Sequence, residues 1–318
     1  MKNPFFRSVL GDIASSAMGL TYSHEHIIIE DSYLTALHPE FLLNDVEKVS
    51  KELSDFQSLG GKTVVETTPA NCGRNPLKLA EVSRRSGVNI IAPTGILLEI
   101  YYPETHWRYT YSEDQLSDLF IADIQEGIDQ FDYSGPIVNR TPHKAGLIKL
   151  ATGDDAFSAH QEKIFRAVVN AHLATGAPIL THTNFGRQAL EQAKLFEKLG
   201  AKLDHVVLSH VDRAKEVEYN REVLDVGVSV EYDSAFRWKS GEPNHTLKLL
   251  EKLLPDYPHQ ITLGMDMAKN AYWKSYGGGP GLTYLIETIP GFLKEKGLEE
   301  YYKNIFFDTP RNLFSFFK

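Results

Sequence analysis

Apolar and polar positions along the chain alternate between short β-branched runs and longer stretches of helical periodicity, and the alternation recurs eight times. The predicted strands are 20–29 (LTYSHEHIII), 62–68 (KTVVETT), 88–96 (VNIIAPTGI), 145–151 (AGLIKLA), 177–183 (APILTHT), 205–211 (HVVLSHV), 226–232 (VGVSVEY) and 260–266 (QITLGMD). Amphipathic stretches at 44–59, 112–131, 157–175, 187–200, 213–225 and 244–254 predict helices between strands, and helices at 281–296 and roughly 298–317 close the chain. Strand–helix alternation calls for a parallel sheet, and eight units of it predict an α/β fold of the closed (β/α)8 TIM-barrel type. Gly60, Gly87, Gly176 and Gly200 stand just ahead of strands, where a left-handed residue ends the preceding helix.

A length of 318 residues suits one such barrel. No Pro/Ser-rich linker or low-complexity tract divides it. The expectation is a single domain over 1–318: a lead-in at 1–19 forming a hairpin under the barrel, the barrel over about 20–296, and a C-terminal helix. The aromatic C-terminal segment is expected to pack on the barrel, with part of it available to a homodimer surface.

A formal charge of −9 argues against broad binding to nucleic acid or anionic membranes. Cys72 is the only cysteine, so no intrachain disulfide can form. No run approaches the ~20 apolar residues of a membrane span, and the first residues lack a secretory h-region. A cytoplasmic protein with a small-molecule substrate is expected.

The candidate chemistry lies in polar residues at the C-terminal ends of the predicted strands, where such barrels build their sites. His24 and His26 are spaced i, i+2, which on a strand puts both imidazoles on one face, with Glu25 pointing outward. His182 follows APILT, His210 follows HVVLS, and Asp266 ends ITLGMD. Each has an ordinary explanation alone: a surface or core histidine, or a helix N-cap. Lys149 within LIKLA is costly to bury charged; desolvation lowers its pKa, and the resulting amine can take up carbon dioxide to form a carbamate bridging two metals. Packing does not require six such residues at one end of five strands. Together they point to a metal site.

On the motifs GLTYSHEH, GLIKLATG, ILTHTNFG, VVLSHVD, LGMD and YGGGPGL, in order over about 20–312, the sequence resembles the phosphotriesterase-like family of the amidohydrolase superfamily. The resemblance implies two divalent ions: one on His24, His26 and Asp266, the other on His182 and His210, with carboxylated Lys149 between them. Imidazole and carboxylate donors suit zinc first, and also manganese, cobalt or iron. It further implies hydrolysis by a hydroxide shared between the ions, with Asp266 taking its proton.

Substrate choice should lie in the loops after strands seven and eight, YDSAFRWKSGEPNH and DMAKNAYWKSYGGGPG. Lys239, Lys269 and Arg237 supply cations there, with Lys274 further along; Tyr272 and Tyr276 can donate hydrogen bonds, and Gly277–Gly279 allow close approach of an anion. These loops look short and polar, without an apolar lid. Lys269 and Tyr272, three and six residues after Asp266, match the spacing of phosphorylated sugar lactonases, with Lys239 completing a phosphate clamp. Tyr101 is a candidate near the nucleophile, and Asn71, Gly73 and Arg74 are candidates for the sugar pocket. The expected activity is hydrolysis of a phosphorylated aldonolactone. A phosphotriesterase or apolar-lactone hydrolase, an amidohydrolase acting on C–N bonds and a non-catalytic metal-binding scaffold are the alternatives.

Overall fold

The computed structural model describes residues 4–238 and 241–318. An antiparallel hairpin, β1 (Phe5–Ser8) and β2 (Gly11–Ala14), precedes nine parallel segments. These are β3 (Leu20–Glu25), β4 (Gly61–Glu66), β5 (Asn89–Ile91), β6 (Pro93–Gly95), β7 (Leu147–Thr152), β8 (Ile179–Thr183), β9 (Val206–Ser209), β10 (Ser229–Tyr232) and β11 (Ile261–Leu263). β5 and β6 are two halves of one predicted strand, broken at Ala92, whose carbonyl accepts from Gly146 N. Eight strand positions result. The order runs β3-β4-β5 and β6-β7-β8-β9-β10-β11, all parallel. The last strand returns to the first through the carbonyl of His24, which accepts from the amides of Met265 and Asp266 at 3.3 and 2.9 Å. The predicted barrel is the observed fold.

The helices start where side chains can satisfy their first amides. Asp45, Asn75, Ser112, Ser158 and Asn244 each accept from the backbone N–H three residues on, and Ser112 and Ser158 form capping boxes with Gln115 and Gln161. Gly87 and Gly176 end their helices with φ of 71° and 81°, as their placement in the sequence suggested. The helix Pro76–Ser86 had not been singled out, although Asn75 as N-cap followed by Pro76 is its signature.

Five strands end earlier than predicted, and at three of them the early end delivers a functional side chain. His210 and Asp266 take left-handed backbone conformations, φ 67° and 46°, and the run after Glu25 leaves the sheet, so the chain turns as each functional side chain is delivered. The predicted helix at 298–317 is also interrupted: a 3-10 turn (Glu299–Tyr301), a π-turn (Asn304–Asp308) and a short helix (Thr309–Leu313) replace it. Pro310 has no N–H to give to residue 306, and its ring crowds that carbonyl, which breaks the α-ladder there.

The hairpin does cover the barrel bottom. Phe6, Met18 and Phe314 are buried against Val65, Ile91, Leu147, Leu180 and Val207, the inward residues of the lower strands. Phe306 and Phe316 of the C-terminal segment are likewise buried within the chain. Among the described residues, no helix is long and apolar enough to cross a membrane. Replacing Phe6 by Ala should destabilise the protein by about 3–5 kcal/mol in urea unfolding while leaving turnover per folded molecule unchanged. A loss under about 1 kcal/mol would show that the plug does not seal the lumen.

Candidate metal centre and active site

Above the apolar plug, polar side chains fill the lumen. His24 lies on β3 and His26 just past its end; their Nε2 atoms stand 3.7 and 3.2 Å from Asp266 Oδ1. The three side chains bring one donor atom each to within 4.8 Å of one another. The opposite ring nitrogens are held: His24 Nδ1 lies 2.8 Å from Ser209 Oγ, and His26 Nδ1 lies 2.8 Å from Thr68 Oγ1. Glu25 turns away from the histidines, and its buried carboxyl accepts from the amides of Met265 and Met267, pinning the loop that carries Asp266.

His182 on β8 and His210 after β9 form the second group, with ring centroids 4.5 Å apart; His210 also lies 4.7 Å from the His24 ring. His210 Nδ1 pairs closely with Asp233 Oδ2. Burial holds the imidazoles of His24 and His182 well below the usual histidine range and lowers His210 to about 4, with neighbouring cations adding to it. All three are neutral near pH 7, so their lone pairs are free to bind a cation. Lys149, 1 % exposed on β7, is lowered by burial to about 7 despite the surrounding carboxylates. His182 Nε2 is buried and has no hydrogen-bond partner among the described residues. An orphaned nitrogen, neutral imidazoles fixed from behind and a carboxylate facing two of them fit a divalent metal centre.

Two arginines set the charge balance. Arg213 and Arg237 reach Asp266 Oδ2 at 3.0 and 3.1 Å, and both also bind Asp233 Oδ1, at 2.8 and 2.7 Å. Burial opposes ionisation of Asp266, but Arg237, the hydrogen bond to His26 and the nearby imidazoles hold it well below the usual carboxylate range. Asp233 is likewise kept ionised against burial by Arg213 and His210. Glu231, fully buried on β10, is pushed well above the usual range by burial and by Asp233, Asp212 and Asp266. Sequence reasoning passed over Arg213, Asp233 and Glu231. Strand seven, VSVEYD, carried the same strand-end signal that singled out the other ligands.

A cavity of about 670 Å³ opens over these residues, and Lys269, Tyr272, Tyr101 and Arg237 line it as expected. Arg237 differs in role: its guanidinium is engaged by Asp233, by Asp266 and by the carbonyls of Met265 and Asp266, so it braces the site and is not a free anion receptor. Lys269 stands at the rim, 3.6 Å from Glu40. Lys239 lies outside the described residues.

Other loop candidates prove structural. Tyr276 OH accepts from Asp45 N, Lys274 donates to Thr283, and Gly278 packs so tightly on Ala271 that a Cβ would lie 2.0 Å from its carbonyl oxygen. Arg74 is buried in ion pairs with Asp123 and Asp132, both at 3.0 Å, and Asn71 donates to the Asp132 carbonyl, so neither builds the sugar pocket. The expectation of a polar pocket also needs correction. Leu97, Leu98, Ile100, Phe41, Phe185 and Trp238 give the cavity an apolar wall, from loops outside the two considered, apart from Trp238. An open cavity over the strand ends is also what a non-catalytic scaffold would lack.

A model of the phosphotriesterase family matches residues 4–314. The chain is 32% identical to the phospho-furanose lactonase of Mycoplasmopsis agalactiae over 99% of this chain and 92% of that protein. Among solved structures, an amidohydrolase from Mycoplasma synoviae superposes with a TM-score of 0.93 at 31% identity, covering 99% of this chain and 93% of that one. A lactonase from Listeria monocytogenes gives 0.90 at 30% identity, covering 99% and 100%.

The double grip of Arg213 on Asp233 and Asp266 leads to a kinetic prediction. Arg213→Met should lower kcat tenfold or more, the equivalent of about 1.4 kcal/mol, with KM within about threefold in steady-state assays. A change confined to KM would show that Arg213 handles substrate instead.

Proposed function

The chain belongs to the phosphotriesterase family of binuclear metal-dependent hydrolases, and on that premise we propose that it opens a phosphorylated sugar lactone to the phosphosugar acid. It is a metal-dependent ester hydrolase; the proposal concerns its substrate and the parts played by its residues. One observation carries it: Lys269 and Tyr272 line the same cavity as all six candidate ligands. A phospho-furanose lactonase aligned along nearly its whole length supports the choice of ring and phosphate.

In this reading His24, His26 and Asp266 would hold one ion, His182 and His210 would hold the other, and Lys149, as its carbamate, would supply a further ligand. Zinc, manganese, cobalt and iron all suit these donors. Bound divalent ions supply Lewis acidity, lowering the pKa of the attacking water and polarising the lactone carbonyl. Asp266, kept ionised and oriented by Arg213 and Arg237, accepts a proton from the water at Oδ1. As the water oxygen bonds to the carbonyl carbon and the ring C–O bond breaks, Asp266 returns the proton to the leaving ring oxygen. Lys269 and Tyr272, completed by Lys239, bind the phosphate, and Tyr101 contacts the sugar near the reacting carbon. The protein acts as a cytoplasmic dimer in the same reading.

A second reading, hydrolysis of apolar lactones or phosphotriesters, draws on the apolar wall formed by Leu97, Leu98, Ile100, Phe41, Phe185 and Trp238. The two separate on substrate. Charge-assisted hydrogen bonds of about 1.5–3 kcal/mol each predict that aldonolactone phosphates react at least tenfold faster in kcat/KM than their unphosphorylated forms. Lys269→Ala should raise KM for the phosphorylated lactone about tenfold and leave the unphosphorylated one unchanged. Equal rates on both lactones, or faster turnover of long-chain lactones, would overturn the phosphate clamp.

Lys149 makes reconstitution depend on carbon dioxide. Metal-free protein given zinc in carbon-dioxide-depleted buffer should regain activity slowly, and bicarbonate should speed it several-fold. Lys149→Glu should regain activity at a rate indifferent to bicarbonate. Recovery of the unmodified protein at the same rate in both buffers would argue against the carbamate.

A further inference from the structure

Glu231 is a buried carboxyl beside His24. It is fully buried, and among the described residues neither carboxyl oxygen has a hydrogen-bond partner. Native interiors rarely tolerate such a group without a reason. Its Oε2 lies 3.4 Å from His24 Nδ1, short of a well-formed hydrogen bond, while the same nitrogen lies 2.8 Å from Ser209 Oγ. Ser209 and Glu231 are register partners on β9 and β10.

The sequence keeps room for this carboxyl. A Cβ on Gly264 would stand 2.8 Å from Glu231 Oε1 and 2.7 Å from His24 N, so only glycine leaves both undisturbed. Two residues along, on the same face of the same segment, Asp233 pairs with His210 Nδ1. β10 and the residue just after it therefore set one carboxyl behind a histidine of each proposed ion.

We propose that Glu231 is a positioning residue for the metal centre, acting through His24. The inference rests on the two-ion reading above. When His24 presents the Nε2 lone pair to an ion, its proton must sit on Nδ1, facing Ser209 and Glu231. Glu231 then accepts from Nδ1–H alongside Ser209, fixing the tautomer and the ring plane and making the imidazole a better donor. The unpartnered carboxyl oxygen thereby gains the donor it lacks.

The test is chelator competition on zinc-loaded protein, with thermal unfolding of metal-free and loaded forms. Glu231→Leu fills the same space without an acceptor and should hold one of the two ions about 10–100-fold more weakly, the range usual for such partners. Its metal-free form should melt no lower than the unmodified protein, because a buried unpaired carboxyl has been removed, while the rise in Tm on adding zinc shrinks. Glu231→Gln keeps an acceptor oxygen and should lose less affinity than Glu231→Leu. Unmodified affinity in Glu231→Leu, an equal loss in both variants, or a fall in Tm as large without metal as with it would overturn the inference. Fewer than two ions on the unmodified protein would overturn the two-ion reading itself, and this inference with it.

Discussion

The whole arrangement depends on taking one lysine and a set of imidazoles out of water inside a barrel lumen. Desolvation makes Lys149 a weaker base and keeps His24, His182 and His210 neutral. A surface cluster of the same residues would be solvated, and its lysine would stay protonated near pH 7. Below the polar layer Phe6, Met18 and Phe314 form an apolar floor with Val65, Ile91, Leu147, Leu180 and Val207. Fold stability and site chemistry meet at that layer.

Neutral donors need holding as well as drying, and buried carboxylates do this. Glu25 ties the Asp266 loop to β3, and Glu66 accepts from the amides of Ile27 and Thr68, fixing the chain just after His26 and just after β4. Asp266 and Asp233 in turn are clamped by the same two guanidiniums. Arg213 and Arg237 are thus internal counter-charges. Lys269 lies nearer the mouth, beside Phe41 of the apolar wall.

Much of this was legible in the chain. Short β-branched runs alternating with helical stretches led to the barrel, and polar residues at strand ends led to His24, His26, Lys149, His182, His210 and Asp266, all of which line one cavity. What the sequence concealed was pairing at a distance. Arg237 in a loop reads as a free cation, and only the fold brings Asp233 and Asp266 against it. Arg74 reads as a pocket residue until Asp123 and Asp132 close on it from 49 and 58 positions away. The apolar wall was missed because it is assembled from several loops, each contributing one or two residues without local periodicity. The broken C-terminal helix was readable, since Pro310 stands inside it.

The most direct test is crystallographic. Anomalous diffraction from the zinc-loaded protein should show two peaks, one contacted by His24, His26 and Asp266 and the other by His182 and His210, with density extending from Lys149 Nζ to both. A single peak, unextended density at Lys149, or an ion seated on Glu231 and Asp233 would contradict the account.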